Sequence, residues 1–302
     1  QIFREAGIEL IEAQCRTEDE VIARAGGCSA LLIQYAPVAE RVFAAHPGIG
    51  LCSRIGAGFD TIDTAAAARH GVWVANSPDY GVGEVSTHAL AMMLSVIRGI
   101  ARYDRDIHNG QWHYTTVGRI PRASNLTVGV LGLGRIGKRF AHIARNTFKR
   151  VIAHDPHLID GDFPAYVERV SLEELFSQAD AISIHCLLND ETRGLVDGRL
   201  LRLMKPGSYL VNTARGAIVD IGDLAEVVLA ILVGQRGTAL LRRDDLVCQI
   251  HQAIQVQRSV ELANRGRGNL SIAEAQCARP VIRGVQHVVD LGPLGARCPQ
   301  ML

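Results

Sequence analysis

The stretch TVGVLGLGRIG, residues 127–137, decides the fold of this 302-residue chain. An apolar run leads directly into the pattern Gly132-Leu-Gly134-Arg-Ile-Gly137, and a helical pattern follows at once. A strand, a glycine-rich turn and a helix in this order are typical of a doubly wound α/β domain that binds a dinucleotide. A bare GxGxxG is weak in a chain with 30 glycines, so the flanking strand and helix carry the prediction.

Each glycine of the motif has a predicted task. Gly132 makes the tight turn, Gly134 lets the backbone approach a pyrophosphate, and Gly137 lets helix and strand pack closely. The start of the helix then offers free N–H groups to the phosphates. The alternative is that the glycines serve only a tight connection between strand and helix.

Asp155 ends the next predicted strand, 23 residues after Gly132. A carboxylate there can bind the ribose hydroxyls of an adenosine and repel a 2′-phosphate, so NAD is preferred to NADP. The alternative is that Asp155 is a turn residue before Pro156.

Runs of strand length alternate with helical patterns along most of the chain, which predicts an α/β fold with parallel sheets covered by helices. Residues 1–78 are predicted to form a small substrate domain, and residues 79–232 a Rossmann domain. Apolar residues at helical spacing predict one connecting helix over 84–108. Residues 233–302 contain no aromatic residue and no lysine, and are predicted to be a separate, divergent tail.

Composition argues against several classes of protein. The hydrophobic content of 48% and charged content of 21% are those of a globular protein, and a net charge of +1 gives no reason to expect nucleic acid or an anionic membrane. A charged N-terminus and the lack of an 18-residue apolar run favour the cytoplasm. The 7 cysteines lack CxxC spacing, and no cluster has metal-ligand spacing, so no metal is expected.

The stretch VNTARGAIVD, residues 211–220, places an arginine at the end of a predicted strand. In an open parallel sheet, ligands bind beyond the carboxyl ends of the strands, where Arg215 is expected. Its guanidinium can bind a carboxylate or carbonyl oxygen bidentately, which a lysine cannot do. On the local sequence alone, an interdomain salt bridge is the alternative.

From about residue 5 to about residue 230 the chain resembles the D-isomer-specific 2-hydroxyacid dehydrogenases. The resemblance rests on ordered motifs: RIGAGFDTID, NSPDYGVGEVSTHALAMML, GVLGLGRIG, HDP, HCLLNDET and LMKPGSYLVNTARGAIVD. The segments GRI, HDPHLIDG and HCLLN resemble the C-terminal binding protein-like branch most closely.

This resemblance implies a fold, an activity and an assembly. The small domain would be flavodoxin-like, with its N-terminal strand missing from a chain that starts on Gln1. The activity would be NAD-dependent hydride transfer between NAD(H) and a small D-2-hydroxy or 2-oxo acid. The connecting helix and the segment after it would form a homodimer.

The resemblance also implies roles for individual residues. Ala57 and Gly58 would offer backbone N–H groups to the substrate carboxylate, and Arg215 would hold and polarise the 2-oxo group as the catalytic residue. His88 would approach the cofactor, or else pack the helix that carries it. The residues implied to bind the cofactor are His88, Gly132, Leu133, Gly134, Arg135, Ile136, Gly137, Asp155, Cys186, Leu187, Asn189, Thr213 and Ala214.

Downstream of Ala230 the sequence departs from the family. An acidic residue and a histidine in a Pro-His turn should follow the arginine and form the acid/base pair. No Pro-His follows Arg215 here, and the surroundings of Asp244, His251 and His287 do not match.

Two sets of alternatives stay open from this departure. The tail is disordered, the product of a shifted reading frame or gene remnant, or a divergent appendage that still folds. The chain is an oxidoreductase impaired by the missing acid/base pair, or an NAD(H)-binding regulatory protein like the C-terminal binding protein corepressors.

Overall fold

The computed structural model describes residues 2–234 and 287–290. These residues divide into two compact units, 2–81 with 287–290, and 82–234. Asp244 and His251, which follow Arg215 in the sequence, lie outside the described residues, as does most of the predicted tail.

Helices and strands alternate in both units. The elements of the first unit before its last strand are α1 (Ile2–Glu5), β1 (Glu9–Glu12), α2 (Glu18–Arg24), β2 (Ala30–Ile33), α3 (Glu40–Ala45), β3 (Leu51–Arg54), α4 (Thr64–Arg69) and β4 (Trp73–Ala75). The elements of the second unit are α5 (Val82–Arg98), α6 (Ile100–His108), β5 (Thr127–Leu131), α7 (Arg135–Ala144), β6 (Arg150–His154), β7 (Glu168–Arg169), α8 (Leu172–Gln178), β8 (Ala181–Ile184), α9 (Gly198–Leu203), β9 (Tyr209–Asn212) and α10 (Ile221–Gly234). The strand β10 (His287–Asp290) returns to the first unit.

The sheet of the first unit has the strand order β1-β10-β2-β3-β4. Strands β2, β3 and β4 pair in parallel, whereas β10 is antiparallel to both β1 and β2. In the flavodoxin-like order 2-1-3-4-5, the first strand lies between the second and the third. Here β10 takes that place in the opposite direction, so the prediction of parallel sheets does not extend to its two pairings.

The sheet of the second unit has the order β7-β6-β5-β8-β9, and all of its pairings are parallel. This corresponds to the first five strands of the doubly wound order 3-2-1-4-5-6, so the predicted Rossmann fold is confirmed. The order reverses between β5 and β8, and a ligand crevice is expected at the carboxyl ends of that pair.

Strand β5 is buried along its whole length because helices cover both faces of the sheet. Val128 and Val130 belong to the core cluster that also contains residues of α5 and α7. Leu131 belongs to the cluster on the α8 and α9 face. Gly129 also faces α8, where a Cβ atom would come within 2.9 Å of Leu175 Cδ1, so this position has no room for a side chain.

The connecting helix predicted over 84–108 is divided in the structure. Helices α5 and α6 meet at Gly99, which has a φ of 65°, and a Cβ atom there would collide with the side chain of Val117. A left-handed residue ends the regular helix even though the apolar spacing continues past it. Within the described residues, every helix is too short or too polar to cross a bilayer.

Candidate cofactor and substrate site

Two glycines after β5 leave no room for a side chain. Gly132 has a φ of 87°, and a Cβ atom there would lie 2.6 Å from the backbone nitrogen of Cys186. A Cβ atom at Gly137 would collide with the carbonyl oxygen of Gly132. The turn therefore packs against the end of β8 on one side and against the first turn of α7 on the other.

Gly134 differs from the other two glycines. It is the N-cap of α7 with a φ of −71°, and a Cβ atom there would have open space around it, with nothing within 4 Å. Its carbonyl accepts from Lys138 N at 2.8 Å, and as a glycine it has no side chain with which to cap the helix. The first-turn N–H groups of a helix have no partner within the helix, and the open space at Gly134 leaves room for a pyrophosphate, since a helix N-terminus attracts anions.

Asp155 follows β6 and holds the glycine-rich turn. Its Oδ2 accepts from Leu133 N at 2.8 Å, and its Oδ1 accepts from His157 N at 3.0 Å. The second bond agrees with the alternative of a turn residue, and the first ties the end of β6 to the turn after β5. A carboxylate has about four lone-pair sites, so capacity for ribose hydroxyls is left.

The remaining residues of the turn contribute in different ways. Leu133 is fully buried, and its N–H already donates to Asp155, so its part is to shape the turn. Arg135 is exposed at the first position of α7, and Ile136 is half-buried behind it.

Cys186, Leu187 and Asn189 lie in the loop after β8. Burial, with a smaller contribution from the charge of Asp155, raises the pKa of the Cys186 thiol to about 11. The side chain of Leu187 is exposed. Asn189 Oδ1 accepts from Thr192 N at 2.9 Å, so this amide orders its own loop.

His185 is a site neighbour that the sequence does not single out. Burial lowers its pKa to about 4. Its ring packs 5.1 Å from that of Phe140, and its Nε2 lies 2.9 Å from Ser183 Oγ. The ring is therefore neutral at pH 7, and a histidine directly after an apolar strand gives no sequence signal for this environment.

His88, predicted to approach the cofactor, lies on α5 and is exposed. It does not lie in the buried face of the helix, which is formed by Ser86, Ala89, Met93 and Ile97. Packing of the helix is therefore not its role, and contact with a cofactor stays a prediction.

The loop with Ala57 and Gly58 is held by two side chains of the first unit. Asn76 Nδ2 donates to Ala57 O at 2.7 Å, and the buried Arg54 donates from Nη1 to Ile55 O at 2.6 Å. Within the described residues, the N–H groups of Ala57 and Gly58 donate to no protein acceptor. These two donors can therefore serve an anionic ligand, as the sequence predicts.

Arg215 lies three residues beyond the end of β9 and is half-buried. Its Nη1 donates to Ala214 O at 3.0 Å. Asn212 Oδ1 accepts from Ala214 N at 3.0 Å, and Asn212 Nδ2 donates to Arg215 O at 2.8 Å. Thr213 Oγ1 is buried and has no hydrogen-bond partner among the described residues.

Asn212 is a further site residue absent from the sequence prediction. An asparagine at a strand end, two residues before a backbone N–H that needs an acceptor, is a signal that could have found it.

The second unit gathers most of the predicted residues at one edge of its sheet. Strands β6, β5, β8 and β9 are consecutive neighbours, so the turn, Asp155, Cys186 and Arg215 all follow carboxyl ends of adjacent strands. Within the described residues, no three His, Cys, Asp or Glu side chains are grouped to hold a metal ion.

A cavity of about 690 Å³ lies at the opposite edge of this sheet. Asn125, Gly207 and Tyr209 are among its lining residues, and they stand at the amino ends of β5 and β9. It is therefore separate from the candidate site.

Comparisons with known proteins identify a family that this chain resembles. Residues 90–236 match the family model described as D-isomer specific 2-hydroxyacid dehydrogenase, NAD binding domain. The D-3-phosphoglycerate dehydrogenase of Mycobacterium bovis is 34% identical over 212 residues, which are 70% of this chain and 40% of that protein. The hydroxypyruvate reductase of Blautia hydrogenotrophica is 29% identical over 222 residues, which are 70% of this chain and 67% of that protein.

A solved structure is similar over the same share of the chain. The NAD-dependent formate dehydrogenase from Staphylococcus aureus in complex with NAD has a TM-score of 0.65 at 30% identity, covering 70% of this chain and 65% of that one. This chain thus spans 40% of the length of the phosphoglycerate dehydrogenases that it matches. Assignment to the C-terminal binding protein-like branch stays a prediction.

Proposed function

We infer the activity of this chain from its membership, through residues 90–236, of the D-isomer specific 2-hydroxyacid dehydrogenase family. The proposed activity is hydride transfer between NAD(H) and a small D-2-hydroxy or 2-oxo acid. The observation that supports it best is the position of Arg215 at the same sheet edge as the glycine-rich turn. An arginine there can bind the oxygen on the reacting carbon of a substrate and so place that carbon beside a bound dinucleotide.

The cofactor, when bound, supplies the nicotinamide ring that accepts or donates the hydride. The chain's own part is to hold it. N–H groups of the first turn of α7 would bind the pyrophosphate, and the open space at Gly134 would admit it. Asp155 would accept from the ribose hydroxyls and repel the 2′-phosphate of NADP.

Each unit has hydrogen-bond donors suited to an oxygen of a 2-oxo acid. The guanidinium of Arg215 would bind and polarise the 2-oxo oxygen, so that negative charge developing there is stabilised. The N–H groups of Ala57 and Gly58, which donate to no acceptor among the described residues, would bind the carboxylate.

Proton transfer is the part of the reaction that this chain supports least. Oxidation of an alcohol needs a base for the hydroxyl proton, and a useful base has a pKa near the working pH. The pKa of His185 is lowered to about 4 by burial, so it is a poor base at neutral pH. No Pro-His follows Arg215 in the sequence. We therefore propose that the chain binds its ligands but turns over slowly.

The test separates binding from turnover. NADH binding is followed by fluorescence, and NADH oxidation is followed with glyoxylate, pyruvate and hydroxypyruvate. The samples are the full chain, its Arg215→Lys variant, and a chimera whose residues 233–302 are replaced by the C-terminal segment of the hydroxypyruvate reductase relative. We expect all three to bind NADH and the chimera to turn over fastest.

Two results would contradict the proposal. Failure of the full chain to bind NADH would show that NAD(H) is not its cofactor. NADH binding without turnover by either the chain or the chimera would favour a regulatory NAD(H)-binding protein instead.

A homodimer through α6 is part of the proposal. Helix α6 has no buried residue, and Trp112 and Tyr114 after it are 82% and 87% exposed. The segment is nevertheless held in place, since Tyr103 Oη donates to Tyr114 O at 2.7 Å. Ordered, exposed aromatic residues suit a protein interface. Sedimentation of Trp112→Asp should show monomers where the unchanged chain shows dimers.

The proposal also keeps the predicted organisation and location of the chain. It assigns residues 1–78 to the substrate domain, 79–232 to the NAD-binding domain and 233–302 to a divergent tail, of which residues 287–290 pair with β1 and β2. The location is the cytoplasm. Limited proteolysis followed by mass spectrometry should cut first after about residue 232, and protected sites throughout 233–302 would contradict the divergent tail.

A further inference from the structure

Residues 213–215, called here the tip after β9, lie beyond the last strand pairing of the sheet. Among the described strands, β9 pairs with β8 alone, and the last pair in their register joins Asn212 to Ile184. Thr213, Ala214 and Arg215 therefore have no strand partner, and other contacts must fix the direction in which they leave the sheet.

The carboxamide of Asn212 supplies two of those contacts, beside a backbone bond from Ile218 N to Arg215 O at 3.2 Å. Its Oδ1 accepts from Ala214 N at 3.0 Å, and its Nδ2 donates to Arg215 O at 2.8 Å. The first bond needs an acceptor and the second needs a donor, so the orientation of the amide is fixed by its partners. An aspartate could make the first bond but not the second, and a serine is too short to span both.

The two bonds from Asn212 act on the Arg215 guanidinium indirectly, through the peptide group between Ala214 and Arg215. Ala214 N and Arg215 O flank the peptide that joins the two residues, and Asn212 holds both. The carbonyl oxygen of Ala214 belongs to that peptide and accepts from Arg215 Nη1 at 3.0 Å. A rotation of the peptide would therefore move one acceptor of the arginine side chain.

We propose that Asn212 is the positioning residue of Arg215, acting through the Ala214 peptide to hold the guanidinium in its binding orientation. This inference rests on the proposed function only in that Arg215 binds the substrate. The orientation itself belongs to the protein without ligand and can be measured in that state.

The first measurement needs no ligand. Phenylglyoxal modifies accessible guanidinium groups, and the rate at Arg215 is read by mass spectrometry of its peptide. We expect Asn212→Asp to raise this rate at least threefold, because the side-chain donor to Arg215 O is lost and the backbone bond from Ile218 N, at 3.2 Å, is left to hold that carbonyl. Asn125→Asp makes the same chemical change at the opposite edge of the sheet and should leave the rate unchanged. An unchanged rate in Asn212→Asp would overturn the proposal.

The second measurement tests the consequence for binding. With NADH saturating, the dissociation constant of oxamate, a pyruvate isostere, is measured for the full chain, Asn212→Asp, Arg215→Lys and the double variant. We expect each single variant to weaken oxamate at least tenfold and NADH less than twofold. The double variant should be no weaker than Arg215→Lys, because Asn212 acts only through that arginine.

The outcomes separate this inference from the proposed function. Additive losses in the double variant, or equal losses of NADH and oxamate binding in Asn212→Asp, would mean a general structural role and overturn the inference. Oxamate binding that does not respond to Arg215→Lys would instead overturn the substrate role of the arginine. The phenylglyoxal rates would still decide whether Asn212 holds it.

Discussion

The turn after β5 and the tip after β9 end at the same edge of one sheet, yet they are built in opposite ways. The turn closes because Gly132 and Gly137 have no side chains, so that backbone packs directly on backbone. The tip closes because Asn212 has a side chain that bonds two backbone groups. The first kind of loop depends on space and the second on hydrogen bonds, and they should respond differently to substitution.

The largest effect is expected at Gly137, where the turn has least space. Gly137→Val should destabilise the fold by on the order of 3 kcal/mol or more, because its Cβ would collide with the Gly132 carbonyl in a packed region. NADH binding should be lost with the fold. Denaturant unfolding followed by circular dichroism measures the change. A stable variant with unchanged binding would show that exclusion of side chains does not build the turn.

The free energy of unfolding is expected to depend on pH through His185, which lies one residue before Cys186, the residue that the glycine-rich turn packs against. Burial lowers the pKa of His185 from 6.5 to about 4, so the unfolded chain takes up the proton first. Stability from this group is full above pH 6.5 and is lost as the pH falls towards 4, by up to about 3 kcal/mol.

The control for this pH dependence is His185→Phe, which keeps an aromatic ring beside Phe140 and has no proton to gain. Its free energy of unfolding should fall less steeply than that of the unchanged chain between pH 6.5 and 4. Parallel curves from urea unfolding at each pH would show that another group is responsible.

A smaller effect, confined to binding, is expected at Gly134. Gly134→Ala meets no atom within 4 Å, so the free energy of unfolding should change by less than about 1 kcal/mol. The added methyl would occupy the space proposed for the pyrophosphate, so NADH binding should weaken by about tenfold, or about 1.4 kcal/mol. Calorimetric titration measures it. Together with Gly137→Val, this pair separates a glycine needed for the fold from one needed for the ligand.

The smallest effect is expected at Cys186, which packs against the turn. Burial raises its pKa to about 11, so at pH 8 almost none of it is the reactive thiolate. Iodoacetamide labelling of its peptide should be much slower than that of a cysteine in a denatured sample. Labelling at the same rate in both samples would show that the turn does not cover this thiol.

The same contrast explains how far the sequence predicts the molecule. The glycine-rich turn and Asp155 are predictable because their spacing along the chain reflects a local geometry. His185 is not, because its environment arises from burial that appears only in the folded chain. Asn212 carries a strand-end signal, but its bond to the Arg215 carbonyl appears only in the structure. The division of the predicted helix at Gly99 was missed because apolar spacing continues on both sides of it.

The strand β10 could not be predicted for a different reason. The segment His-Val-Val-Asp, residues 287–290, has only two β-branched residues, and so short a pattern does not distinguish a strand from a loop. Its partners β1 and β2 are also very distant in the sequence. No local pattern specifies such a pairing.

That distant pairing has a consequence for the order of folding. During synthesis from the N-terminus, β1 and β2 emerge early, but the register joins Ala30 to Val289 and Glu12 to His287. Their facing edges stay unpaired in the nascent chain until β10 has been made, by which time residues 82–234 are complete. Open edges of this kind can pair with other chains. The unit that comes first in the sequence is thus the last to complete its sheet.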